Sequence, residues 1–168
     1  LLAGPSANIA DPQAMLRVAG ACLKRADQVL KSSPTAAIAH LIRAQALARM
    51  ARTEQAEAAF LLTQETAPYE GWLAARRLRF ALLNSGLDVP LSGGTARASE
   101  IDVALQADAL TVLQTDDYLP VLVQIYQRQP DRRAWLLATV EQAPLARKRA
   151  FLTVLRGSLR GAPIGGSG

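Results

Sequence analysis

The sequence predicts an all-α chain, a short stack of antiparallel helical hairpins with about eight helices. Three observations predict it. Of the 168 residues, 50% are hydrophobic but only 5% aromatic, so the apolar content rests on Ala and Leu, both strong helix formers. β-branched residues are scattered, and no stretch alternates apolar and polar with the period of a half-buried strand. Apolar residues recur instead at helical spacing, in segments punctuated by Pro, Gly, Ser and Asp. The length suits one domain with a continuous core over 1–160, followed by the tail 161–168, whose GAPIGGSG composition reads as flexible.

The first helix opens at Asp11-Pro12, with Asp as cap and Pro at the first helical position, where its missing N–H costs nothing. Leu16, Ala19, Leu23, Ala26 and Leu30 then hold one apolar face to Lys31. Gly20 inside it either weakens the helix or admits a close neighbour. Cys22, between Ala21 and Leu23, reads as a small buried residue, and a lone cysteine excludes a disulfide framework.

Ser32-Ser33-Pro34 ends the first helix. A second is expected over 35–50, and a third over 54–66 with Thr53 as its cap. A fourth runs over 71–84. Residues 87–99, with a Pro and two Gly, read as a loop. Ser99 is expected to cap a fifth helix reaching Leu113, with Asp102 at its third position. Asp116 or Asp117 opens a sixth to Arg128. Gln129-Pro130-Asp131 starts a seventh to Glu141, and Ala143-Pro144 an eighth to Leu159. Helices joined by short turns must bury their apolar stripes against neighbours, which gives hairpins stacked as a bundle or solenoid.

Pro34 and Pro68 lie 34 residues apart, and each closes one helix before the next. Between them Ala44 is followed twelve residues on by Ala56, then by Phe60 and Pro68. Small residues at 44 and 56 allow paired helices to approach closely, and Phe60 fills the space beside them. In this spacing the segment resembles the tetratricopeptide repeat family. The likeness is good over 35–68 and degenerate over the rest of 12–116. Cys22 and Ala26 stand at the small and aromatic positions of the preceding unit. In the following unit Ala104 takes the small position and Asp108 departs from the expected aromatic, with 87–99 as an insertion. Residues 117–160 form basic C-terminal helices. From Asp116 to Leu155 the phrasing, in the turn at Gln129-Pro130-Asp131, the Arg132-Arg133-Ala134 that follows and the stretch from Pro144 to Phe151-Leu152, resembles the ends of bacterial tetratricopeptide proteins that accompany polysaccharide synthesis and sit on a membrane anchor outside the cytoplasm.

Charge is unevenly spread. Up to Asp117 there are 11 basic and 12 acidic residues; beyond it there are 8 basic and 2 acidic. The basic clusters Arg132-Arg133 and Arg147-Lys148-Arg149 therefore form a candidate patch for an anionic membrane surface or, less favoured, nucleic acid. Their only aromatic neighbours, Trp135 and Phe151, fit apolar helix faces. No apolar run approaches the ~18 residues that cross a bilayer. The chain begins at Leu1, which reads as a cut end, with Leu1-Leu2-Ala3-Gly4 as the tail of an upstream signal or anchor.

Catalytic chemistry is not expected. His40 is the only histidine, which rules out a triad of His ligands, and in the repeat frame it takes a bulky packing position. Gly93-Gly94 lacks the Lys and Ser/Thr of a phosphate loop. Asp116-Asp117 and Glu54 and Glu57 suit helix starts. No cofactor or metal is expected. The tetratricopeptide resemblance implies a non-catalytic scaffold that holds a protein or peptide in the groove lined by first helices. That frame assigns the groove to Leu41, Gln45 and Arg49, then Arg76, Phe80 and Leu83, with inter-helix core as the alternative reading of its Leu and Phe residues. The family's carboxylate clamp is unmatched, because Leu41 and Gln45 stand there, and Arg76, Arg77 and Arg79 offer positive charge to an acidic segment. The expected location is periplasmic or membrane-anchored, with cytoplasm as the alternative. The apolar end faces of so short a stack favour homo-oligomers.

Overall fold

In a computed structural model of the chain, residues 11–83 and 96–161 are described. Where the sequence reads as one domain, the chain falls into two compact units, Leu1–Thr63 and Gln64–Gly168. Among the described residues there are eight α-helices and no strand.

In the first unit α1 spans Pro12–Ser32 and packs along α2, Ala37–Arg49. The Asp11 carboxylate accepts from the backbone N–H groups of Gln13 and Ala14 at 3.0 and 3.2 Å, as its capping role requires. The face that α1 buries is made of small residues, Ala19 and Ala26. Leu16 stays exposed, and Cys22 is half-buried rather than buried. A Cβ placed on Gly20 would meet nothing within 4 Å, so this glycine serves no close approach. An Asp27–Arg43 pair at 3.1 Å links α1 to α2, but both side chains are well exposed, which limits it to ~1 kcal/mol or less.

Helix α2 ends in a turn that the sequence did not announce. Ala51 has φ 56°, in the left-handed region. Around it the Arg52 N–H donates to the Leu47 carbonyl and the Ala51 N–H to the Ala48 carbonyl. That is the double hydrogen-bond closure for which glycine is the usual residue. Helix α3, Thr53–Thr66, follows at once and stops before Pro68, as the restriction on the residue preceding a proline demands. Ala44, Ala56 and Phe60 are each completely buried, so the residues that carry the repeat spacing are core.

In the second unit α4, Gly71–Leu78, packs against α5, Ala96–Leu113. Gly71 is needed here: a Cβ would come within 3.2 Å of the Tyr118 ring. The fourth helix does not stay α-helical to residue 84. It widens into a π-helical turn at Arg79–Leu83, and residues 84–95, most of the predicted loop, lie outside the described ones. Ser99 is not a cap, because α5 already runs from Ala96. Its buried stripe is Ile101, Ala104, Leu105, Asp108, Ala109 and Val112.

A 3-10 turn at Asp116–Tyr118 leads into α6, Leu119–Arg128, and a second at Pro130–Arg132 into α7, Arg133–Val140. Helix α8, Leu145–Gly161, closes the unit against α6, with Phe151 and Leu155 buried and Gln127 donating to the Ser158 hydroxyl. None of the described helices is long and apolar enough to cross a membrane.

Candidate functional site

The second unit is organised around a buried ion pair. Arg77 points inward from α4 and Asp108 from α5, and neither side chain is exposed at all. The guanidinium meets the carboxylate as a fork, Nε to Oδ2 at 2.8 Å and Nη2 to Oδ1 at 2.6 Å. Its remaining edge donates to the Ala67 carbonyl at 3.2 Å through both Nη1 and Nη2. One side chain thus ties the turn at Ala67, the body of α4 and the middle of α5. Burial pushes the Asp108 carboxyl up from 3.8 to about 6, while the Arg77 hydrogen bonds and charge pull it down. At neutral pH the pair remains ionic. Arg77, expected beside Arg76 and Arg79 as free positive charge, is therefore structural.

Beside this anchor lies an open groove of about 500 Å³, lined by Gln64, Pro68, Tyr69, Ala107, Leu110, Thr111 and Gln114. Tyr69 is the most exposed large apolar side chain of the described residues, at 88%. It is held by the turn that Arg77 grips at Ala67. Three residues on, the Trp72 indole N–H donates to Glu70 at 3.2 Å and the Arg76 guanidinium stacks 5.5 Å from the ring.

The residues assigned to a groove by the repeat frame divide sharply. Leu41 and Phe80 are buried and present no surface to a partner, because each packs inward as core. Gln45 and Leu83 are half-buried, and only Arg49 and Arg76 stand in solvent. Leu41, Gln45 and Arg49 belong to the first unit, and Arg76, Phe80 and Leu83 to the second.

Of the five expected patch residues, three are occupied within the fold. Arg147 donates from Nε to the Leu113 carbonyl, closing the C-terminal end of α5, and reaches Asp116 at 2.7 Å. Arg133 likewise donates to the Tyr126 carbonyl at 2.8 Å and lies over that ring. Cations at helix C-termini satisfy free carbonyls and complement the dipole. Lys148 pairs with Glu141 at 2.6 Å, and Arg132 is half-buried. Of the five expected patch residues, Arg149 alone is exposed with no such contact.

His40 is buried, and its Nε2 bonds the Pro34 carbonyl at 2.8 Å. A carbonyl only accepts, so the proton sits on Nε2, and Nδ1 is enclosed without a partner. The ring holds the α1–α2 turn. Among the described residues no three His, Cys, Asp or Glu side chains gather where they could hold a metal.

No protein-family model, curated protein or solved structure matches this chain.

Proposed function

We propose that this chain is a non-catalytic, tetratricopeptide-like scaffold that binds a protein partner, and that it serves in a bacterial envelope or polysaccharide-related assembly. The observation that carries the binding role is the groove beside Tyr69. An aromatic ring standing 88% in water next to a concave, mainly apolar surface is the kind of anchor that interfaces bury. An extended segment laid along α5 would cover Tyr69 and Leu110, with the Gln64 and Gln114 amides at hand for its backbone. The groove's lining carries no charged side chain, so such binding would depend little on salt. The 34-residue spacing with Ala44, Ala56 and Phe60 in the core supports the repeat-like part of the reading, and the phrasing of 116–155 supports the envelope part. A nucleic-acid role draws less support, because Arg133, Arg147 and Lys148 are spent on carbonyls and carboxylates of the chain itself.

The test is affinity purification of the tagged full-length protein at native expression, with and without Tyr69→Glu. A specific partner should co-purify with the wild type and be lost from the variant, while Arg128→Glu, at an exposed position outside the groove, retains it. A partner that persists with Tyr69→Glu removes the groove from the account. Fractionating the same cells tests the location: recovery with membranes or periplasm supports the envelope setting, and recovery confined to cytoplasm rejects it.

A further inference from the structure

The exposed side of α8 carries a second surface, unrelated to the groove. Leu145, Leu152 and Leu159 follow one another at seven-residue intervals and are 61%, 38% and 56% exposed. On a straight helix that spacing drifts by only ~20° per step, so the three leucines form a nearly straight row of about 21 Å. Beside them, four residues on, Arg149 and Arg156 make a parallel row that Arg160 extends, and all three are exposed. The adjoining side of the helix is already used, by Phe151 and Leu155 in the core.

Charge shows what is missing. Residues 145–161 hold five basic side chains and no acidic one. Arg147 and Lys148 have their carboxylates in Asp116 and Glu141, whereas Arg149, Arg156 and Arg160 meet none among the described residues.

We propose that this face is the docking site for an amphipathic helix of a partner protein, with an apolar heptad row flanked by Asp or Glu. A leucine row with a seven-residue period matches the way one helix seats knobs against another, and the flanking charges set partner choice and orientation. The planar arginine fork suits carboxylates in that flank. A bilayer surface calls for no such register, and it favours aromatic side chains at headgroup level, which the exposed face of α8 lacks. Antiparallel pairing of two α8 helices would bring the arginine rows of two copies together, like against like.

The probe is a fluorescent peptide of three heptads with Leu at every seventh position and Glu at the flanking sites, titrated with the whole protein and read by anisotropy. The wild type should bind it and lose about tenfold in affinity in the double variant Arg149→Glu/Arg156→Glu, whose sites are exposed. A peptide with Lys in place of Glu should bind that double variant and not the wild type. Far-UV circular dichroism and thermal melts check that the double variant stays folded; Leu152→Ser, with the arginines intact, gives an independent loss of binding. Failure of the Glu peptide to bind, or failure of the swapped peptide to recover binding, overturns the proposal. So does co-sedimentation with phosphatidylglycerol vesicles that the same variants abolish while the peptide does not bind. A dimer dissolved by Leu152→Ser would overturn it in favour of a second copy.

Discussion

Replacing Asp108 by Leu should destabilise the second unit severely, and replacing Arg77 by Met as well should restore most of the loss. Removing the carboxylate alone leaves a guanidinium in a site with no exposure to water; it cannot shed its charge, and the Ala67 carbonyl is only a partial substitute. An uncompensated buried charge costs about 3–5 kcal/mol. Arg77→Met alone strands the carboxylate, with a comparable cost. The double substitution removes both charges and fills the space with apolar side chains of similar size, an exchange that is often neutral or stabilising by about 1–4 kcal/mol. The cycle should therefore return a coupling of several kcal/mol. Urea unfolding followed by tryptophan fluorescence is the assay, because both tryptophans, Trp72 and Trp135, lie in the second unit. Single losses below about 1 kcal/mol, or a double loss equal to the sum of the singles, would refute the reasoning that the pair is a closed, dry unit.

The same pair carries a pH signature. A carboxyl raised to about 6 in the fold binds its proton before the unfolded chain does, so its contribution is largest below about pH 4 and declines as pH rises through 6. Between pH 4 and 7 the wild type should lose up to about 3 kcal/mol that Asp108→Leu does not lose, measured as the difference between their urea midpoints converted to free energy. Ala51→Gly should stabilise the first unit by about 1 kcal/mol, since φ 56° strains an L side chain; an unchanged melt by far-UV circular dichroism contradicts this. Gly20→Ala should stabilise by about 0.5–1 kcal/mol because the added methyl meets open space. Gly71→Ala should destabilise, since the methyl presses on the Tyr118 ring; a lowered melting temperature for Gly20→Ala contradicts the first prediction, and a raised one for Gly71→Ala the second.

What the sequence made legible followed from local chemistry. Asp11-Pro12, Ser33-Pro34 and Ala67-Pro68 punctuate helices through caps and φ restrictions that act within a few residues, and the boundaries they predict hold closely. The early start of α5 at Ala96 was missed because Ser99 also has the chemistry of a cap, and nothing local says that a helix has begun already. The π-helical turn at 79–83 leaves no mark in Arg79-Phe80-Ala81-Leu82-Leu83, which reads as ordinary helix. Leu41 and Phe80 were placed on a surface by the repeat frame, although their apolar chemistry already argued for the core in which they lie.

The ion pair escaped for a different reason. Arg77 and Asp108 are 31 residues apart, and charged residues on helices ordinarily face water. A signal was nevertheless there. Asp108 interrupts the stripe Ile101, Ala104, Leu105, Ala109, Val112, and Arg77 lies among Leu73, Ala74, Leu78 and Ala81, all buried. Two opposite charges set inside two apolar stripes call for each other, because neither is tolerated there alone. The basic patch divides for the converse reason: clustering in sequence says nothing of which cations find a helix end or a carboxylate, and Arg133, Arg147 and Lys148 do.

The measurement that tests the central claim most directly is photo-crosslinking in the native cell, with a photoreactive amino acid in place of Tyr69 and a second chain carrying it in place of Arg17 as an exposed control. A scaffold that seats a partner beside Tyr69 should give one discrete protein adduct from position 69 that is absent from position 17. Crosslinks from position 69 no different from those at position 17 would contradict it.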